Sequence, residues 1–164
     1  MTTAAGANGS PRMIKVTVDL PEEGPTWPPF SSELIFVERT GAGSQGQVRS
    51  IPFFARGIAY DDVVHFRLDR EREELVCDGV VRPSGHSTLR ILLRDDGAAG
   101  RVAALLREFG CEWEVTTIDS HWAVDVPPST PYAALRQQLV ELNTADVIGV
   151  EEAAVSAVHS GQLD

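Results

Sequence analysis

Side chains able to act as base, nucleophile or anion clamp crowd into two short stretches, Phe53-Phe54-Ala55-Arg56-Gly57 and Ser84-Gly85-His86-Ser87-Thr88-Leu89-Arg90. The second half-matches a nucleophile elbow, but Leu89 stands where the closing glycine belongs, and the residues that follow predict a strand instead of a helix. His86 and Ser87 are chain neighbours, so on an extended strand they point to opposite faces and cannot form a base–nucleophile pair with each other. His121 with Asp119 or Asp125 is the remaining set that could assemble across the fold into the acid–base half of a hydrolase. A structural role is the more natural expectation. Gly85 permits an unusual backbone angle, and the imidazole and hydroxyls beside it can satisfy backbone groups where a ladder is interrupted.

Arg56 follows two phenylalanines on a segment too apolar for an ordinary surface loop. Such an arginine either snorkels from an apolar edge or forks onto a carboxylate, and Asp61 and Asp62 are the expected partners. If the fork is free, Arg56, Asp62, His86 and Ser87 are the candidate ligand-binding set, gathered in a cleft. Glu112, Glu114 and Asp125 should project from two neighbouring strands as an acidic patch, the candidate surface for a partner. Metal chemistry finds little support. His65, His86, His121 and His159 are scattered, no H-x-x-x-H or C-x-x-C spacing occurs, and Asp61-Asp62 and Asp95-Asp96-Gly97 lack the alternating oxygen ligands of a calcium loop. Gly41-Ala42-Gly43-Ser44-Gln45-Gly46 spells G-x-G-x-x-G, but a strand-like run ending in Pro52 follows where a phosphate-binding helix would be required. A hairpin loop is expected there. No cofactor is expected.

The 164 residues are 43% hydrophobic, enough for a sizeable core, and carry a formal charge of -10. Residues 1–87 contribute -3 and residues 88–164 contribute -7. This acidity disfavours nucleic acid and would attract a basic protein partner, although it also serves simple solubility. No apolar run is long enough to span a bilayer, and Met1 to Arg12 lacks a charged-then-apolar signal pattern, so a cytoplasmic protein without membrane attachment is expected. Cys77 and Cys111 are too few for a disulfide scaffold and read as reduced, mostly buried thiols.

Residues 1–12 read as a tail. Ile14 to Leu20 alternates as a strand, the proline-rich segment Glu22 to Phe30 reads as a surface loop pinned by Trp27, and further strands are expected over 33–39, 47–51, 63–68 and 75–81. Five short strands predict a small barrel over residues 13–83. A strand over 88–94 then leads to a helix whose Val102, Leu105, Leu106 and Phe109 share one face, stopped by Gly110. A hairpin over 111–126 should turn about Asp119-Ser120. A second helix, with Thr130 as N-cap and Pro131 at its first position, should bury Tyr132, Leu135, Leu139 and Leu142. The order β-α-β-β-α over 84–158 predicts a ferredoxin-like unit, closed over residues 146–155 by a strand or a helix, with 159–164 as a tail.

The runs Ile51-Pro52-Phe53-Phe54-Ala55-Arg56-Gly57-Ile58-Ala59-Tyr60-Asp61-Asp62-Val63-Val64 and Ser84-Gly85-His86-Ser87-Thr88-Leu89-Arg90 resemble the signature of a bacterial family, domain of unknown function 4265. The resemblance covers roughly residues 14–155, and the family brings no activity with it. The sequence therefore predicts an α+β protein, a barrel-like subdomain packed on a ferredoxin-like subdomain. Its expected role is that of a non-enzymatic protein-binding or regulatory module, in one version neutralising a basic effector as immunity proteins do. The alternative is a small-molecule or catalytic module using a cleft between the halves around Arg56 and His86.

Overall fold

The computed structural model describes residues 12–41, 43–118 and 120–164. It is an α+β structure. Strands β1 (Arg12–Asp19), β2 (Ser32–Arg39), β3 (Gln45–Val48), β4 (Val63–Asp69) and β5 (Glu74–Arg82) form a closed barrel. Neighbours pair antiparallel, and the barrel closes through a parallel pairing of β1 with β5 at Thr17 and Val76. The period-two pattern explains the core: Val16, Ile35, Val37, Val48, Val64 and Phe66 point inward, joined by Ala55 and Ile58 from the irregular segment after β3. The strand expected over 47–51 ends sooner, at Val48, ahead of Pro52. Gly41 and Gly43 lie in the β2–β3 loop with φ of 63° and 123°, so the G-x-G-x-x-G spelling serves a turn; Ala42 lies outside the described residues.

The second sheet has the order β7-β8-β6-β9, all antiparallel, with β6 (Ser87–Leu93), β7 (Glu112–Val115), β8 (His121–Val126) and β9 (Ile148–Ala154). Residues 146–155, open between strand and helix in the sequence, supply β9. Helices α1 (Ala99–Glu108) and α2 (Tyr132–Thr144) cover one face. Leu89, Ile91, Trp122 and Val124 from the sheet meet Val102, Leu106, Leu135 and Leu139 there. α2 buries the four residues expected of it, Tyr132, Leu135, Leu139 and Leu142. Its cap differs from expectation. Pro131 occupies the N-cap position, and the Thr130 hydroxyl donates to the Phe109 carbonyl instead of capping the helix. The first N–H groups, of Tyr132 and Ala133, go instead to Gln162 Oε1 at 2.7 and 3.3 Å. Gln162 follows the short helix α3 (Ala157–Ser160) within the stretch read from sequence as a terminal tail.

The other face of the second sheet is met by residues 53–59. This backbone is neither helix nor strand, yet it is buried at Ala55, Ile58 and Ala59 and half-buried at Phe53 and Phe54, so its polar groups there require partners. Glu33 supplies one carboxylate to three of them. Its oxygens accept the N–H groups of Phe53, of Phe54 at 2.9 Å and of Ala55 at 2.8 Å. The carbonyls are met from the sheet: His121 Nε2 donates to Phe53, Arg90 to Ala55 and the Thr88 hydroxyl to Ile58. Gly57 N–H reaches the Ala153 carbonyl at 3.0 Å, with Gly57 at a φ of 74°.

Two outcomes follow in urea denaturation. Gln162→Ala should lower unfolding free energy by about 1 kcal/mol through loss of the α2 cap. Glu33→Gln, which presents an amide NH₂ to backbone donors, should cost more, about 2–3 kcal/mol, with unchanged m-value. A neutral Glu33→Gln variant would show that the carboxylate does not hold residues 53–55.

Candidate functional site

Arg56, the arginine expected on Asp61 or Asp62, instead bridges Glu23 and Glu151, with Glu151 at 2.9 Å. The two aspartates are committed elsewhere. The buried Asp62 carboxylate accepts the N–H groups of Ala59 and Ser84, at 2.9 and 2.8 Å, which ties the 53–59 segment to the β5–β6 connection. Asp61 is paired with Arg49, whose Nε also donates to Glu38 at 2.8 Å. Arg56 and His86 are thus held by separate sets of carboxylates.

His86 and Ser87 do point to opposite sides. His86 Nδ1 donates to Asp125 at 2.8 Å, its Nε2 lies 3.7 Å from Asp61, and Tyr60 packs edge-on against the ring. Burial pushes the Asp125 carboxyl above its ordinary value, and the hydrogen bond from His86 opposes that shift. Ser87 is fully buried. Its hydroxyl donates to His159 Nδ1 at 2.6 Å and accepts the Ser156 N–H, while His159 Nε2 donates to the Pro127 carbonyl at 3.0 Å. This is a serine–histidine pair, but both side chains are sealed from solvent, so it serves as a clamp joining β6 to α3. The sequence reading missed His159 by assigning it to a tail.

His121 does not join Asp125. It stacks on Phe54 at a ring separation of 5.3 Å, and Trp27 packs edge-on against both rings, fixing the proline-rich loop as expected of its indole. Asp119 lies outside the described residues. Cys111 is buried, and burial pushes its thiol up to about 12, which leaves it unreactive at neutral pH. Among the described residues no group of histidine, cysteine and carboxylate side chains is arranged to hold a metal ion.

The site residues that do converge lie between the barrel and the second sheet. A cleft of about 470 Å³ is lined by Arg49 and Tyr60 from the barrel side and by His86, Glu112, Glu114 and Asp125 from the sheet side. The two glutamates are exposed and have no cationic partner among the described residues. They sit on β7, which is an edge of its sheet. Thr116 N–H bonds the His121 carbonyl, so by antiparallel alternation the even positions of β7 face β8, and Trp113 and Val115 turn their N–H and C=O groups outward. Arg49 and Tyr60 were not foreseen as cleft residues.

The model of the family described as Domain of unknown function (DUF4265) matches residues 33–150. The chain belongs to this family. Both signature runs of the DUF4265 chain fall at the junction just described, the first including the irregular 53–59 segment and the second leading into β6, the strand that meets it. No curated protein matches the chain. Among solved structures, a hypothetical protein from Neisseria gonorrhoeae superposes with a TM-score of 0.72 at 20% identity, over 87% of this chain and 96% of that one. At that identity the likeness concerns the fold alone. No helix among the described residues is long and apolar enough to cross a membrane.

The buried His159 sets a pH dependence. Burial lowers its pKa, so the unfolded chain takes up a proton near the ordinary histidine value of about 6.5 while the folded chain resists until lower pH. Its contribution to stability is therefore present above that value and lost as pH falls below it. Comparing urea midpoints from pH 7.5 down to 5, wild type should lose stability more steeply than His159→Gln, by up to about 1.4 kcal/mol per pH unit. Parallel curves would show that His159 takes up its proton as readily in the folded chain as in the unfolded one.

Proposed function

We propose that this protein is a cytoplasmic, non-enzymatic binding module that takes an extended basic segment of a partner protein along β7, with cationic side chains entering the acidic cleft. The observation that carries this reading is the placement of Glu112 and Glu114, unpaired, on an open sheet edge beside Asp125 and His86. Arg49 does not neutralise the site, because Glu38 and Asp61 already hold it. An edge strand offers main-chain hydrogen bonds that any extended segment can use, and the charges on its face then select the partner. Two glutamates on so short an edge also repel a second copy of the same strand, which favours a basic partner over self-pairing. A basic effector held and neutralised in the manner of an immunity protein is one form such a partner takes.

In this reading the second sheet with its two helices is a ferredoxin-like unit, supported by its strand order and by the alternation of strands and helices along the chain. A small-molecule or catalytic role centred on Arg56 with His86 is less favoured, because Arg56 is forked between Glu23 and Glu151.

Titration with acetyl-Arg-Val-Arg-Val-Arg-Val-amide, followed by amide NMR at low salt, should shift Trp113, Val115 and His86. The Glu112→Gln/Glu114→Gln variant should bind about tenfold more weakly, and added salt should weaken wild-type binding. Equal binding by the double variant, or by a peptide with glutamate in place of arginine, would contradict the proposal.

A further inference from the structure

The second sheet has another edge, β9, on the side opposite β7. Which of its backbone groups face outward follows from hydrogen bonds at the end of β6. Leu93 N–H bonds the carbonyl of Ser120, just before β8, at 2.8 Å, and Arg94 N–H bonds the carbonyl of Val147, just before β9, at 3.0 Å. Even positions of β6 therefore serve β9, where Leu92 and Arg90 meet Gly149 and Glu151. By the same alternation Ile148, Val150 and Glu152 turn their N–H and C=O groups away from β6, and no other described strand pairs with them. Beyond Glu152 the edge is closed, because Gly57 N–H takes the Ala153 carbonyl.

The charges on this edge are answered within the chain, unlike those on β7. Glu151 is held by Arg56 and Arg90, and Glu152 accepts from Arg136 at 2.8 Å and from the Tyr132 hydroxyl. Neither a proline nor an unpaired charge protects residues 148–152, and an edge left so is a template for another strand. Beside it, on the helix side, a hollow of about 120 Å³ is lined by Leu139, Val140 and Val150, with Val140 exposed.

We infer that β9 is the interface for a second copy of this chain, paired antiparallel about a twofold axis at Val150 so that the two sheets become one. Charge complementarity selects both the occupant and the register. With Val150 opposite Val150 of the partner subunit, Ile148 meets the partner's Glu152 and Gly149 meets the partner's Glu151. Each carboxylate then faces an uncharged residue, and the outward groups of Ile148, Val150 and Glu152 all find partners. The next in-phase register sets Glu151 against the partner's Glu151, and the one after it sets Glu152 against the partner's Glu152; directly opposed like charges destabilise a strand pair. Sliding the other way leaves only Ile148 and Val150 in the overlap. Gly149, without a side chain, leaves room beside the partner's Glu151.

The inference is independent of the acidic cleft, which lies at the opposite edge. In sedimentation equilibrium the full chain should move from the monomer mass toward twice that mass as concentration rises through the micromolar range. In a dimer of mixed isotope labelling, a filtered NOE should join the Hα atoms of Gly149 and the partner's Glu151, which form a non-hydrogen-bonded pair in this register. Val150→Pro removes the central outward N–H at an edge position, where proline is tolerated. Gly149→Glu adds a Cβ that has only ordinary contacts with Leu92 and Arg94, and it opposes the partner's Glu151. Each variant should raise the dimer dissociation constant at least about tenfold with the amide spectrum of β6 retained, and Gly149→Glu decides the matter if the proline disturbs the edge. A monomer at millimolar concentration, a dimer without the Gly149 to Glu151 contact, or a dimer as tight in Gly149→Glu as in wild type would each overturn the inference.

Discussion

An irregular stretch of main chain is packed between two sheets, and such backbone can be buried only if other groups meet its N–H and C=O groups. Residues 53–59 impose this demand, and much of the unusual chemistry in the molecule answers it. Glu33 accepts from three successive amides, Arg90 and His121 donate to two carbonyls, and Asp62 closes the far end through Ala59. A charged acceptor is suited to three convergent donors, because hydrogen bonds to an ionised carboxylate are stronger than those to a neutral one. Arg90 in turn is tolerable inside the protein because Glu151 pairs with it.

The junction leaves open space on either side of it. On one side the sheet edge and the barrel diverge, leaving the acidic cleft around the Asp125–His86 pair. On the other, Trp27 packs edge-on against His121 of the sheet, beside a hollow that Leu92 and Arg90 also line. The acidic cleft has walls from both sides of the junction, so its geometry depends on the segment that holds the two sheets together. The family signature is thereby given a physical meaning: its first run includes the irregular segment and its second leads into the strand that meets it.

Local patterns in the sequence were legible where one face of an element is wet. Period-two alternation predicted β1, strand-forming runs set off by turn signals predicted β2, β4 and β5, and the spacing of Tyr132, Leu135, Leu139 and Leu142 predicted the buried face of α2. Arg90 was not legible for the converse reason. In β6 it alternates with Leu89 and Ile91, which reads as the solvent side of a half-buried strand, yet the barrel covers that side as well. Glu33 did carry a signal. It is in phase with Ile35 and Val37, both inward, so a carboxylate at that position announces a buried charge with dedicated donors. The partners of Arg56 and Ser87, namely Glu23, Glu151 and His159, are distant in the chain, and no local pattern selects one distant carboxylate or imidazole from several.

Native-state amide hydrogen exchange at Phe54 and Ala55, set against the core amides of β6, tests the central claim most directly. If the segment is an integral part of both sheets, these amides exchange only when the whole protein unfolds, with the same opening free energy as Leu89 and Ile91. Exchange through a much cheaper local opening, with β6 still protected, would show that the segment is a detachable loop and that the two sheets do not depend on it.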